Sequence, residues 1–108
     1  MELSYRIEND ICVILLGGEV ILDTLSEIER LFDELSERNF GGYILNLSQT
    51  TAIDSLGIGL ISHFFQYMKQ HQIQVVLCQL HPLIRWVFKN NIILMYETEA
   101  DALVGFAC

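Results

Sequence analysis

Short apolar runs alternate with amphipathic stretches along this chain, and that alternation narrows the folds open to it. Leu3 to Glu8 alternates apolar and polar, as a half-exposed strand does. Asn9-Asp10 is a turn signal ahead of the continuous apolar run Ile11 to Leu16. Together they predict a hairpin with the alternating strand outermost, ended at Gly17-Gly18, where a loop is expected to begin. Thr24-Leu25-Ser26-Glu27 has the form of a capping box. Leu25, Ile28, Leu31, Phe32 and Leu35 then recur at helical spacing, predicting a helix to about Arg38 that stops at Asn39-Phe40-Gly41-Gly42. Tyr43 to Leu47 reads as a buried strand and Ser48-Gln49-Thr50-Thr51 as a polar connection. A second helix is expected from about Leu56 to His71, with Ile58, Ile61, Phe65 and Met68 along one face. Ile73 to Cys78 is the next buried strand, and Pro82 suits the first position of a third helix closed by Asn90-Asn91. Ile92 to Tyr96 is a last short strand, and Thr98-Glu99-Ala100-Asp101 opens a last helix by the capping pattern. The order β-β-α-β-α-β-α-β-α implies an α/β fold with a mixed, mostly parallel sheet, an N-terminal hairpin and about four helices. Residues 1–108 make one domain, with no internal repeat or linker.

Composition excludes several function classes. A hydrophobic content of 52% with a single proline argues against disorder. The formal charge of −8, with its few basic residues scattered, argues against a nucleic-acid groove and against binding to anionic membranes. No apolar run approaches the roughly 18 residues of a membrane span, and no secretory signal is visible at the N-terminus. Cys12 and Cys78 sit inside apolar strand-like runs, Cys108 is terminal, and no Cys-x-x-Cys or Cys/His ligand spacing occurs. The cysteines are therefore expected to act as small core hydrophobes in a reducing cytoplasm, with no metal and no cofactor.

The chemistry concentrates in Asp54-Ser55-Leu56-Gly57-Ile58-Gly59, where a strand hands over to a helix. The first N–H groups of a helix have no internal partner and sit at the positive end of its dipole. Ser55 at such a place can cap the helix or carry a phosphate without disturbing the fold. Asp54 can be a helix-start carboxylate, can orient the serine hydroxyl for phosphoryl transfer by a kinase, or can supply half of a metal site. Enzyme motifs are weak. Gly57-Ile58-Gly59 begins a dinucleotide-like fingerprint, but position 62 is Ser62 rather than the third glycine. Ser55 lacks the Gly-x-Ser-x-Gly frame of a hydrolase, and none of His63, His71 and His81 is placed to serve it as a base. Ile21 and Leu22, in the loop before the first helix, would make a sticky surface beside the Ser55 turn. Trp86 and Phe88 are expected to divide between completing the core and being half covered, unless they form an exposed patch.

Leu45 to Leu60, with its Asp54-Ser55-Leu56-Gly57-Ile58-Gly59 helix start, resembles the STAS domain, shared by sulphate transporter tails and bacterial anti-sigma factor antagonists. Gly18-Glu19-Val20 followed by Thr24, and His81-Pro82-Leu83-Ile84 through Phe88, support the resemblance, which covers nearly the whole chain. It implies a non-enzymatic cytoplasmic antagonist that binds an anti-sigma factor serine kinase and frees the sigma factor. Phosphorylation at Ser55 would switch it off, and a phosphatase would restore it. The implied partner face comprises Glu19, Ile21, Leu22, Asp23, Thr24, Asp54, Ser55, Leu56, Gly57 and Ile58. The chain departs from the family pattern at Ile21, where an aspartate is usual, and at Leu56, where many antagonists repeat a serine. The alternative is a non-switching STAS scaffold subunit in a signalling or lipid-transport complex. With no transmembrane portion accompanying the chain, a transporter tail is not expected.

Overall fold

Strands β1 (Glu2–Glu8) and β2 (Ile11–Val20) form an antiparallel hairpin in the computed structural model, which describes residues 1–89 and 93–107. Asn9 and Asp10 both take positive φ, 50° and 67°, as a two-residue hairpin turn requires. A 3-10 turn (Leu22–Thr24) leads into α1 (Leu25–Ser36). Then come β3 (Gly42–Asn46), β4 (Thr50–Ile53), α2 (Ser55–Gln70), β5 (Gln74–Cys78), α3 (Pro82–Val87), β6 (Met95–Tyr96) and α4 (Glu99–Ala107). The sheet runs β1-β2-β3-β5-β6, with β4 pairing β2 off that path, and every contact except the hairpin is parallel. Asn90-Asn91 as a helix stop, Ile92 as the start of the last strand, and Cys108 lie outside the described residues.

Two differences from the sequence expectation meet at the same place. β2 does not end at Gly17-Gly18; it continues to Val20. Thr50-Thr51 is not part of a connection; it begins β4, and only Ser48-Gln49 turns. The physical cause is a bulge. Gly18 sits at φ 117°, a conformation side chains rarely tolerate, and the β2–β4 register shifts between Gly18 and Glu19. The bend lets the end of β2 leave β3 and take β4 as its new neighbour. Thr50 secures the change by donating its buried hydroxyl to the Leu16 carbonyl at 2.7 Å.

The main core lies between the sheet and α1, α2 and α3, where Ile14, Leu45, Val75 and Leu77 meet Ile28, Leu35, Ile61, Met68 and Ile84. Phe32 of α1 stacks on Phe64 of α2 at 4.2 Å, and Tyr43 meets Phe64 edge-on while donating its hydroxyl to the Leu35 carbonyl at 2.6 Å. Among the described residues α4 covers the opposite face through Ala102, over Ile11, Val13, Ile44, Val76 and Cys78. Cys12 and Cys78 are fully buried, as their apolar runs imply, and burial pushes their thiols up to about 11 and about 12. Phe88 completes the core, but Trp86 is not half covered: it is 65% exposed, with Lys89 over its ring. Thr98 opens α4 as expected, accepting the Asp101 amide.

Candidate functional site

The parallel strands β2 and β4 finish at the same end of the sheet and deliver two helix starts there. The Asp54 amide donates to the Val20 carbonyl at 3.2 Å, which docks the chain entering α2 against the chain leaving for α1. Asp54 is the N-cap of α2: its extended backbone ends β4's direction, and Oδ1 accepts the Gly57 amide at 2.8 Å. Its other oxygen, Oδ2, accepts the Leu22 amide at 3.0 Å. One carboxylate thus ties the first turn of α2 to the 3-10 turn before α1. The amide of Gly57, aided by those of Leu22 and Leu56, holds the Asp54 carboxyl below the usual carboxylate range, against a smaller opposing desolvation. Of the three roles open to Asp54, the cap is the one the geometry displays. Among the described residues no group of three ligating side chains assembles around a metal.

Ser55 is therefore the first helical residue and not the cap, and it is exposed. Its hydroxyl is free of the capping duty, which Asp54 performs. Leu56, 49% exposed, and Leu22, 64% exposed, flank it. Glu19, near the end of β2, and Asp23, in the 3-10 turn, are exposed, and Ile21 and Ile58 are half buried. Gly57 is buried, and the reason is close approach: a Cβ there would stand 2.1 Å from the Val20 carbonyl oxygen and 2.9 Å from Val20 Cγ1. Gly59, two residues on, has nothing within 4 Å of such a Cβ.

Thr24 does not cap α1 as the capping-box pattern suggests. Its hydroxyl points back into the loop, donating to the Glu19 carbonyl at 2.6 Å and accepting the Ile21 amide at 3.1 Å. The 3-10 turn places Thr24 under the loop, so the side chain closes the turn it ends. All ten residues of the expected face thus come together, in two tiers. Glu19, Leu22, Asp23, Ser55 and Leu56 are exposed, whereas Ile21, Thr24, Asp54, Gly57 and Ile58 support them. The Leu22–Asp54 link has no signal of its own in the sequence; it follows from the pairing of β2 with β4. Two of the histidines are engaged elsewhere: His81 Nδ1 accepts the Leu83 amide to cap α3, and His71 Nδ1 lies 3.1 Å from the Tyr67 carbonyl at the end of α2. Among the described residues no helix is long and apolar enough to cross a membrane.

Residues 2–102 match the family model of the STAS domain. The fold superposes on protein TM1081 of Thermotoga maritima, a candidate anti-sigma factor antagonist, with a TM-score of 0.91 at 19% identity, covering 98% of this chain and 95% of that one. An anti-sigma factor antagonist from Mycobacterium paratuberculosis gives 0.86 at 17% identity, over 99% and 94% of the two chains. The anti-sigma factor antagonist SpoIIAA in its unphosphorylated form gives 0.78 at 18%, over 98% and 97%. Its phosphorylated form, from Bacillus, gives 0.77 at 20%, over 96% and 98%. At these identities the likeness is one of fold.

Proposed function

Because the chain belongs to the STAS domain family, we propose that it is an anti-sigma factor antagonist that binds an anti-sigma factor serine kinase and is switched off by phosphorylation of Ser55. The observation that carries this is the exposed Ser55 hydroxyl at the first position of α2, released from capping by Asp54 and bordered by Leu22 and Leu56. The chain itself performs no chemistry; ATP belongs to the kinase, and a phosphatase resets the switch in the cytoplasm. Two apolar side chains beside a modifiable hydroxyl suit a partner that packs tightly and is then repelled. A phosphate adds about −1.5 to −2 charges. The helix dipole accepts that charge locally, so the fold stays intact. Support for an intact fold comes from SpoIIAA, whose two phosphorylation states superpose on this chain almost equally, at 0.78 and 0.77. The effect falls on the interface, where the neighbouring Asp54 carboxylate adds to the repulsion. A loss of about 3 kcal/mol weakens binding more than a hundredfold.

The test is to mix the purified chain with a candidate anti-sigma factor kinase and ATP, map the phosphate by mass spectrometry, and compare Ser55→Ala with Ser55→Asp for kinase binding and for circular dichroism. Phosphate on Ser55, a tight Ser55→Ala complex and a folded but non-binding Ser55→Asp chain are expected. Equal binding by the two variants, or unfolding of Ser55→Asp, sinks the switch. Binding with no phosphate taken up favours the scaffold role.

A further inference from the structure

The two edges of the sheet differ. β6 ends it with only Met95–Tyr96, whereas β1 presents seven residues, Glu2–Glu8, whose pairing with β2 runs without a break. Among the described residues no strand pairs the outer side of β1. That edge carries no proline and no bulge, two of the devices that commonly blunt one, and its charges, Glu2, Arg6 and Glu8, are of both signs. Its two faces are chemically distinct. Leu3, Tyr5 and Ile7 lie opposite Leu16, Ile14 and Cys12, on the face of α1 and α2, while Glu2, Ser4 and Arg6 lie opposite Gly17, Leu15 and Val13, on the face of α4. Met1, Tyr5 and Ile7 are 37%, 40% and 46% exposed, an apolar row at the rim.

Symmetry restricts how such an edge can meet a copy of itself. A two-fold axis normal to the sheet keeps like faces together, so one residue must sit on the axis opposite its own counterpart. With Tyr5 on the axis, Glu2 faces the other copy's Glu8, a like-charge pair; with Arg6 there, two arginines collide. With Leu3 there, the overlap shortens and no opposite charges meet. Ser4 on the axis sets Leu3 opposite Tyr5, Met1 opposite Ile7 and Glu2 opposite Arg6, each twice. Arg6 is arranged for this. Its Nε holds Glu8 at 3.2 Å and its Nη2 holds Glu99, which leaves Nη1 for a third acceptor. Glu2 makes no ion pair among the described residues. Tyr5 is steadied from the other side, its hydroxyl accepting from Arg38 Nη1 at 2.8 Å.

We propose that β1 is a self-pairing edge, through which two copies of this chain join antiparallel with Ser4 on the two-fold axis, Leu3 against Tyr5 and Glu2 against Arg6. The joined sheet is continuous across the dimer, and the main-chain bonds of the new ladder supply affinity while the paired side chains set the register. This proposal goes beyond the Ser55 reading and does not depend on it.

Sedimentation velocity at physiological salt, from low to high micromolar concentration, tests the idea with two charge reversals. The wild-type chain is expected to dimerise with rising concentration. Glu2→Arg and Arg6→Glu each turn two attractive pairs into two repulsive ones and weaken the dimer roughly tenfold. An equimolar mixture of the two variants restores every opposite pairing, so it dimerises more tightly than either variant alone. A wild-type chain that stays monomeric overturns the proposal. So does a dimer indifferent to Glu2→Arg, or a mixture of two folded variants that remains monomeric. If Arg6→Glu unfolds through loss of its tie to Glu99, Glu2→Arg alone decides: an undiminished dimer refutes the register and a weakened one upholds it.

Discussion

α1 and α2 both start where a strand leaves the same end of the sheet, yet their first turns are secured in opposite ways. At α2 the residue before the helix, Asp54, reaches forward to the Gly57 amide and sideways to the Leu22 amide. At α1 the equivalent residue, Thr24, reaches backward to Glu19 and Ile21 and leaves its own helix uncapped. The forward cap fixes a helix; the backward one fixes a loop. Because Asp54 also holds the loop that Thr24 closes, the two starts form one bonded unit. The side chains of Ser55 and Leu22 are presented by that unit while only the Leu22 amide is spent in building it.

The largest effect should come from the inner side of the α2 start. Gly57→Ala drives a Cβ into the Val20 carbonyl, so the end of β2 and the helix must separate. The expected loss is about 3 kcal/mol, read in a denaturant melt. Gly59→Ala, in the same turn and open to solvent, should instead gain about 0.5–1 kcal/mol from helix propensity. Equal responses at the two glycines would mean that α2 does not lie against β2 as described.

The next effect sharpens the role of Asp54. Its folded-state pKa is lowered, so its contribution is complete above the ordinary carboxylate range and is lost as pH falls through the lowered value. Glu99, lowered chiefly by Arg6 and further by Asn46, behaves in the same direction. Asp54→Asn keeps a capping side chain but removes the charge, so the acid side of the stability curve should flatten without vanishing. Asp54→Ala removes the cap as well. It should lose more stability than Asp54→Asn at neutral pH and speed hydrogen exchange at the Leu22 amide. An unchanged acid limb in Asp54→Asn would disconnect the carboxylate from both turns.

The contrast also explains which parts were legible in the sequence. Ile11 to Leu16, Tyr43 to Leu47 and Ile73 to Cys78 announce themselves because a buried parallel strand is apolar on both faces. The helix from Leu25 is equally plain, since Ile28, Phe32 and Leu35 bury one stripe. Thr50–Ile53 is four residues long and opens on two hydroxyls, so nothing in its pattern separates a strand from a loop. Its assignment depends on a partner, the tail of β2, that two glycines disguise as a stop. The Asp54-Ser55 pair was visible as a helix start, but which of the two caps was not, because both side chains are competent. Thr24 misleads for a related reason: its hydroxyl satisfies whichever backbone group the 3-10 turn brings near.

The smallest effects test whether the loop and the helix are one unit. Thr24→Val keeps the shape and β-branching but deletes the hydroxyl that bonds Glu19 and Ile21. The expected cost is about 1 kcal/mol, the net worth of such bonds in a partly buried site. Ser55→Ala, by contrast, removes an exposed hydroxyl outside the cap and should shift stability by less than about 0.5 kcal/mol. The informative measurement is the double variant Thr24→Val with Asp54→Ala, read by denaturant melts. Thr24 orders the turn that presents the Leu22 amide, and Asp54 accepts from that amide, so the two losses should fall short of their sum. Strict additivity would separate the starts of α1 and α2 into independent structures, and Leu22 would then owe its place beside Ser55 to the backbone of β2 alone.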